Sequence, residues 1–255
     1  MSWKYTASSV TGRTHLDRNE PGQDYCRAGA VQISDREFFI GLVADGAGST
    51  RCGGEGARTA CDTAYESIMK AIRVAGEIHP TITDADVRDW VCSARGAIVA
   101  QAAESGAPVR EYACTLIGSV IGNGQAICFQ IGDGAIVMKE RDEYQVVFWP
   151  DQGEYANTTF FVTDESFLKH LEISRKDFLP EEVALFTDGL QNLVLSFSKK
   201  AAHDGFFRPL FAAVRAHSGN RLPDLSAQLD GFLSRSDVNE RTDDDKTLVL
   251  AVHVP

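Results

Sequence analysis

Carboxylates stand directly after several apolar stretches of the chain, where glycine or other small residues follow. Burying a carboxylate is costly unless it is paired, so its repeated placement at the ends of strand-like stretches indicates a ligand. Hard divalent cations such as Mg²⁺ and Mn²⁺ are held by a few carboxylate oxygens together with carbonyls and waters. The sequence therefore predicts a metal site formed by Asp45 with Gly46, Asp133 and Asp188, together with Asp244, which instead lies just before the β-rich run 247–252.

The alternative for any single Asp-Gly pair is an ordinary turn. Asp204-Gly205 and Asp230-Gly231 show the contrast, because both pairs lie in helix-like surroundings. We expect these two pairs to be structural.

Taken in order, the motifs resemble those of the metal-dependent Ser/Thr protein phosphatases of type 2C. Four of them are Asp45-Gly46-x-Gly48, Gly132-Asp133-Gly134, Thr187-Asp188-Gly189 and Asp244-Asp245-x-Thr247. Thr14-His15, followed by Gln23-Asp24, is similar to the first motif of a bacterial branch of that family. The resemblance covers nearly the whole chain, from Ser8 to Val252.

The resemblance implies a role for each aspartate. Asp45 would bridge two Mn²⁺ or Mg²⁺ ions, and the carbonyl of Gly46 would bind the second ion. Asp188 and Asp244 would hold the first ion, and Asp24 would reach the second ion through water.

Two further positions would extend this metal centre. Asp133 would belong to a third, weaker ion site that some family members have. Gln23 stands where many members have Glu, so we expect it to lie behind the ligands of the second ion. The loss of one negative charge there would weaken binding of that ion.

The residues that would contact phosphate are less regular. His15 matches the bacterial branch, and Arg18 is its charged neighbour in the loop, so both are candidates for phosphate contacts. The alternatives are that His15 packs within its loop and that Arg18 is solvated. Ala47 stands where many eukaryotic members have a His that would protonate the leaving group.

These features together imply an enzyme that hydrolyses phosphoserine and phosphothreonine in proteins by attack of a metal-bridging water or hydroxide. Two cations can activate such a water and offset the charge on the phosphoryl oxygens. A phosphorylated protein, supplied by an opposing Ser/Thr kinase, would be the partner. Two alternatives stay open: a regulatory or binding module that keeps the fold but is catalytically weak, and a di-metal hydrolase of small phosphoesters.

Length and composition limit the other possibilities. A chain of 255 residues with 44% hydrophobic content is typical of a single globular domain, here 1–255. The formal net charge of -11 argues against nucleic-acid binding. No apolar stretch approaches the roughly 20 residues that cross a bilayer. The six cysteines form no C-x-x-C pair, which favours reduced thiols in a cytoplasmic protein. We also expect the protein to be a monomer.

The elements that must position these residues indicate an α+β fold, because strand-like and helix-like blocks are segregated. The resemblance implies a four-layer αββα sandwich, with two central, mainly antiparallel sheets flanked by helices. Apolar spacing predicts helices over 56–72 and 84–104, the second capped by Thr83. Short strands over 112–148 predict an antiparallel meander. The less regular stretch 149–180 indicates either a flap-like insertion over the site or a surface loop with a short helix.

Overall fold

Two antiparallel five-stranded sheets form the centre of the computed structural model, which describes residues 2–33, 35–74, 82–149, 159–217 and 223–254. In spatial order the first sheet contains β1 (Ser2–Val10), β12 (Lys246–Val254), β9 (Glu182–Phe186), β6 (Ala135–Glu140) and β7 (Glu143–Val146). The second contains β2 (Tyr25–Ile33), β3 (Arg36–Ala44), β4 (Leu116–Gly122), β5 (Gln125–Ile131) and β8 (Glu172–Lys176). A short hairpin joins β10 (Leu195–Ser196) to β11 (Ala201–Ala202).

The described residues include seven α-helices, of which the four longer ones cover the outer faces of the two sheets. The seven are α1 (Arg13–Asp17), α2 (Gly53–Val74), α3 (Asp84–Ser105), α4 (Gln191–Val194), α5 (Asp204–Ala216), α6 (Pro223–Leu233) and α7 (Ser236–Asn239). Short 3₁₀ turns occupy Val109–Tyr112, Phe167–Lys169 and Asp188–Leu190. Thr83 caps α3 as predicted, with a reciprocal pair of hydrogen bonds to Asp86.

The apolar residues of β3 show how the layers are held together. Ile40 and Leu42 pack with buried residues of α2 and α3, whereas Phe39 and Val43 face the first sheet. This strand is therefore buried on both faces, as its unbroken apolar run predicts. On the far side, α5 and α6 pack on the first sheet through a separate apolar cluster that includes Phe207. The four-layer αββα sandwich is thus confirmed.

The prediction of one meander over 112–148 is wrong. β4 pairs with β5 in the second sheet, but β6 pairs with β7 and β9 in the first sheet. The chain crosses between the sheets at Gly132, whose φ of 109° belongs to the left-handed half of conformational space. Alternation of apolar residues marks each strand but does not show which sheet the strand joins.

The segment predicted as a flap has regular structure in its second half. β8 pairs with β5 and forms the edge of the second sheet. Residues 150–158 of the predicted flap lie outside the described residues, so the flap over 149–180 stays a prediction.

Among the described helices, none is long and apolar enough to cross a bilayer. The six cysteines are all free thiols.

Candidate metal centre

Asp45 lies where β3 ends, and its backbone is fixed from both sides. Its N–H donates to the hydroxyl of Thr115 at 2.9 Å, and its carbonyl accepts from the Thr115 N–H at 2.8 Å. The next residue must be small, because a Cβ on Gly46 would lie 2.3 Å from the backbone of Gly53. The strand end and the first turn of α2 are therefore packed backbone to backbone at this point.

Asp188 opens a 3₁₀ turn directly after β9, next to the end of β3 in the neighbouring sheet. The preceding Thr187 is fully buried, and its hydroxyl donates to Oδ2 of Asp24 at 2.7 Å. The Thr247 N–H in turn donates to that hydroxyl at 3.2 Å. Thr187 thus links strands β9 and β12 to the loop that carries Asp24.

Asp133 follows β5 at the point where the chain crosses between the sheets. Its Oδ2 accepts a hydrogen bond from the Thr159 hydroxyl at 2.6 Å, and its carbonyl accepts from the Gln191 side chain. Its Oδ1 is buried and has no hydrogen-bond partner among the described residues. An oxygen in that position is available to a cation.

The carboxylates of Asp45, Asp133 and Asp188 converge. Each offers one oxygen, and these three oxygens all lie within 4.8 Å of one another. The prediction named all three from separate strand ends, and the fold brings them together. Three acidic groups this close repel one another unless protons or cations are bound between them.

Burial and mutual repulsion change the acidity of this cluster. Burial, followed by the charges of Asp24 and Asp188, raises the pKa of Asp45 well above its usual value. Burial, followed by Asp133 and Asp244, raises the pKa of Asp188 from 3.8 to about 8. Asp24 is partly exposed as a residue, but its carboxyl group is enclosed by protein, and this burial raises its pKa to about 7.

Asp244 lies at the exposed rim of the centre, just before β12. Its Oδ1 accepts the N–H of Asp245 at 2.8 Å. The neighbouring Lys246 is fully buried, and its ammonium group donates to the Asp244 carbonyl at 3.2 Å. A buried cation here offsets part of the negative charge, a role that sequence reasoning did not assign to Lys246.

Asp245 is the position that sequence reasoning most clearly missed. Its Oδ1 accepts from the Gly12 N–H at 2.6 Å and lies 3.0 Å from Nδ1 of His15. Its Oδ2 accepts from the N–H groups of Gln23 at 2.5 Å and Asp24 at 3.4 Å. One buried carboxylate therefore holds both ends of the loop that delivers Asp24. The two adjacent aspartates, Asp244 and Asp245, were the sequence signal that one could belong to the metal centre while the other holds the loop.

The structure places the remaining predicted residues as follows. His15 is buried against Asp245, so a positioning role fits its contacts, and Arg18 is exposed at the end of α1. Gln23 bonds through Nε2 to the Thr50 carbonyl at 3.1 Å, and its Oε1 is buried without a partner among the described residues. Gln23 thus contacts the turn after Gly46, and among the described residues no hydrogen bond joins its side chain to a carboxylate.

A second pattern for phosphate chemistry occurs at Cys52 and Arg58, which have the Cys-x₅-Arg spacing of thiol-based phosphatases. Such enzymes hold phosphate in an open backbone loop beside an activated thiolate. Here α2 begins at Gly53, and the Gly56 N–H already donates to the Cys52 carbonyl at 2.9 Å. The intervening residues are helical and form no such loop, so the spacing does not produce a thiol site.

The residues present fit a hard divalent cation. All the candidate carboxylates offer oxygen, and Oδ1 of Asp133 is buried without a partner among the described residues. The raised pKa values of Asp45 and Asp188 show that the cluster disfavours its own negative charge. Carboxylate and carbonyl oxygens are the ligands that Mg²⁺ and Mn²⁺ prefer.

Comparison with known proteins places the chain in a family. The family model described as protein phosphatase 2C matches residues 11–234. Serine/threonine-protein phosphatase 3 of Escherichia coli (strain K12) is 36% identical over 253 residues, which is 99% of each chain.

Solved structures show the same fold at lower identity. The serine/threonine phosphatase of S. agalactiae has a TM-score of 0.60 at 15% identity, covering 99% of this chain and 100% of that one. The catalytic domain of the phosphatase PstP, in complex with two manganese ions, has a TM-score of 0.60 at 14% identity, covering 100% and 99%. With the family match extending over most of its length, the chain belongs to the protein phosphatase 2C family.

Proposed function

We propose that the chain hydrolyses phosphoserine and phosphothreonine in proteins and that its aspartate cluster holds the divalent cations for this reaction. As a member of the protein phosphatase 2C family, it is a metal-dependent protein phosphatase. The observation that carries the site assignment is the convergence of Asp45, Asp133 and Asp188 at strand ends from both sheets.

The proposed roles of the residues follow from their positions. The Asp45 carboxyl interacts with both Asp24 and Asp188, so it is the group best placed to be shared by two Mn²⁺ or Mg²⁺ ions. Asp244 would complete one ion site, and Asp24 with the Gly46 carbonyl would complete the other. When bound, the cations lower the pKa of a coordinated water and offset charge on the phosphoryl oxygens.

The protein itself supplies position and charge. Thr115 and Thr187 fix Asp45 and Asp24 from buried positions, and Asp245 holds the loop that carries Asp24. Asp133, with its unpartnered oxygen, would serve a third ion beside Asp188.

The proposal also covers the source of the substrate and the organisation and location of the protein. A Ser/Thr kinase is the class of enzyme that must supply the substrate, because the phosphatase consumes phosphorylated side chains. A single domain over 1–255, a flap within 149–180, a monomeric state and a cytoplasmic location are parts of the same proposal.

Phosphate release from phosphoserine and phosphothreonine peptides tests this function. We expect turnover with added Mn²⁺ and none after excess EDTA. Turnover of p-nitrophenyl phosphate without any peptide turnover would instead favour a hydrolase of small phosphoesters. The absence of all turnover would favour a regulatory module. Activity that persists in EDTA would contradict the metal mechanism, and its loss in Cys52→Ser would then indicate a thiol route.

A further inference from the structure

A cavity of about 520 Å³ lies beside the metal centre. Its walls come from three places: the loop that ends at Gln23 and Asp24, the turn of residues 48–51, and the first turns of α2. Asp24 forms part of the wall, so the cavity adjoins the loop that carries this proposed metal-centre residue. A peptide whose phosphate reached the metals would have neighbouring side chains within reach of this cavity, since consecutive residues are only about 3.8 Å apart.

Three arginines line this cavity, although the chain as a whole has 36 acidic and 25 basic residues. Arg18 and Arg58 are exposed and form no ion pair within the described part of the chain. Arg51 lies 3.7 Å from the carboxylate of Glu111 and is already partly paired. The guanidinium of Arg58 sits 4.4 Å from the centre of the Tyr25 ring, which restricts its position.

The acidic residues on the same walls do not form ion pairs with Arg18 or Arg58. Glu55 accepts a hydrogen bond from the Gln101 side chain of α3 at 3.2 Å, so its carboxylate is engaged there. Glu20 is the other acidic wall residue besides Asp24, and it is exposed at the rim. Asp24 itself bonds to Thr187 and faces the metal centre. Arg18 and Arg58 therefore have no wall carboxylate within ion-pair distance.

The start of α2 adds to the positive potential on this side. The 22-residue helix begins at Gly53, and Gly54 lies against the loop so closely that a Cβ would be 3.1 Å from Cα of Gln23. The free N–H groups and the dipole of the first helical turn favour negative charge. Arginine adds a planar fork of donors that matches a carboxylate.

We propose that this cavity binds an acidic side chain next to the phosphorylated residue of the protein substrate, with Arg18 and Arg58 as its specificity-determining residues. This inference rests on the function proposed above and adds a preference for one class of protein substrate. The preferred substrate is a phosphopeptide with Asp or Glu beside the phosphorylated residue.

The test uses pairs of phosphothreonine peptides that differ only in having Asp and Glu, or Asn and Gln, on either side of the phosphorylated residue. The readout is the ratio of kcat/KM for the acidic and the neutral peptide at saturating Mn²⁺ and low salt. A general loss of activity cancels in this ratio. We expect wild type to prefer the acidic peptide by about tenfold, an effect within the range of one or two well-placed ion pairs.

The double variant Arg18→Gln/Arg58→Gln should lose this preference, mainly through a higher KM for the acidic peptide. Arg208→Gln on α5, which removes an exposed arginine paired with Asp204, is the control and should keep the preference. Added salt should narrow the wild-type ratio because it screens exposed charges.

Two results would overturn this inference alone: equal kcat/KM for both peptides in wild type, or an unchanged ratio in the double variant. Failure of wild type to hydrolyse either peptide would overturn the proposed function as well. The two failures are therefore distinguishable in one set of assays.

Discussion

The Nδ1 atom of His15 lies 3.0 Å from Oδ1 of Asp245, and both side chains are buried. This contact connects the short helix α1 to the residue directly before β12. Because Asp245 also accepts from the N–H groups of Gly12 and Gln23, it fixes the loop that places Asp24 beside Asp45. The geometry gives Asp245 a positioning role distinct from that of the neighbouring Asp244.

Asp245→Asn should weaken metal binding more than the chemical step. An amide can accept at only one of the two oxygen positions, so one pair of loop donors would lose its acceptor, at a cost of about 1–3 kcal/mol in unfolding free energy. We expect a higher Mn²⁺ concentration for half-maximal activity and a smaller change of kcat at saturating Mn²⁺. A Mn²⁺ titration of activity measures both.

His15 provides the matched pair for that experiment. His15→Asn keeps an N–H donor close to the position of Nδ1, whereas His15→Ala removes it. We expect the Asn variant to stay near wild type and the Ala variant to shift the midpoint as Asp245→Asn does. If both variants lose kcat at saturating Mn²⁺ with no change in midpoint, His15 contacts the substrate instead.

Asp45→Asn should abolish activity while leaving the protein folded. It removes the charge that two cations would share, and we expect kcat/KM to fall by more than tenfold, a loss above about 1.4 kcal/mol. The melting temperature in EDTA should stay the same or rise, because repulsion within the cluster is relieved. Retention of more than a tenth of wild-type kcat/KM would show that Asp45 is not shared by the ions.

Asp204→Asn on α5 is the matched control for Asp45→Asn. Asp204 is exposed, and within the described part of the chain its carboxylate pairs only with Arg208 on the same helix. Asp230 is less suitable, because its carboxylate accepts the Ser8 hydroxyl at 2.5 Å. Turnover of Asp204→Asn should equal that of wild type.

Gln23→Glu should lower the Mn²⁺ concentration needed for half-maximal activity, because an added negative charge beside Asp24 strengthens capture of a hard cation. The variant also loses the donor that satisfies the Thr50 carbonyl, so we expect a lower melting temperature in EDTA. Mn²⁺ titrations of the activity of wild type and Gln23→Glu measure this concentration. An unchanged or higher midpoint would refute the placement of Gln23 behind the second ion.

The stability of the protein without added cations should decrease as the pH rises from about 4 to about 8. The folded chain raises the pKa of Asp24 to about 7 and of Asp188 to about 8, whereas the unfolded chain ionises both near 4. The folded state therefore binds more protons in this range, and its stability is lost as the pH rises through the folded values.

Melting temperatures in EDTA across this pH range test the effect. Wild type should lose stability with rising pH more steeply than Asp188→Asn, which lacks one of the titrating groups. The stabilisation by added Mn²⁺ should be larger near pH 8 than near pH 5, because cation binding requires ionised carboxylates. If the melting temperature in EDTA falls equally steeply with rising pH in both proteins, the raised pKa of Asp188 is not a source of this pH dependence.

The sequence pattern was sufficient to place Asp45, Asp133 and Asp188 at strand ends, and the resemblance to a known family implied the layers. Apolar runs that end in Asp-Gly mark strand ends, and ordered motifs at Asp45, Asp133 and Asp188 identified the family. The switch of sheets at Gly132 was not predictable, because local alternation is the same in either sheet. The loop anchor at Asp245 depends on contacts across more than 220 residues of chain, so spacing alone could not assign it.

Anomalous scattering from crystals grown with Mn²⁺ tests the proposed metal centre most directly. We expect two strong peaks bridged by the carboxylate of Asp45, one of them also contacting Asp188 and Asp244, and a weaker third peak beside Asp133. An active crystal form with no Mn²⁺ at Asp45, or with Mn²⁺ only at unrelated surface positions, would contradict the proposal that this cluster is the catalytic metal centre.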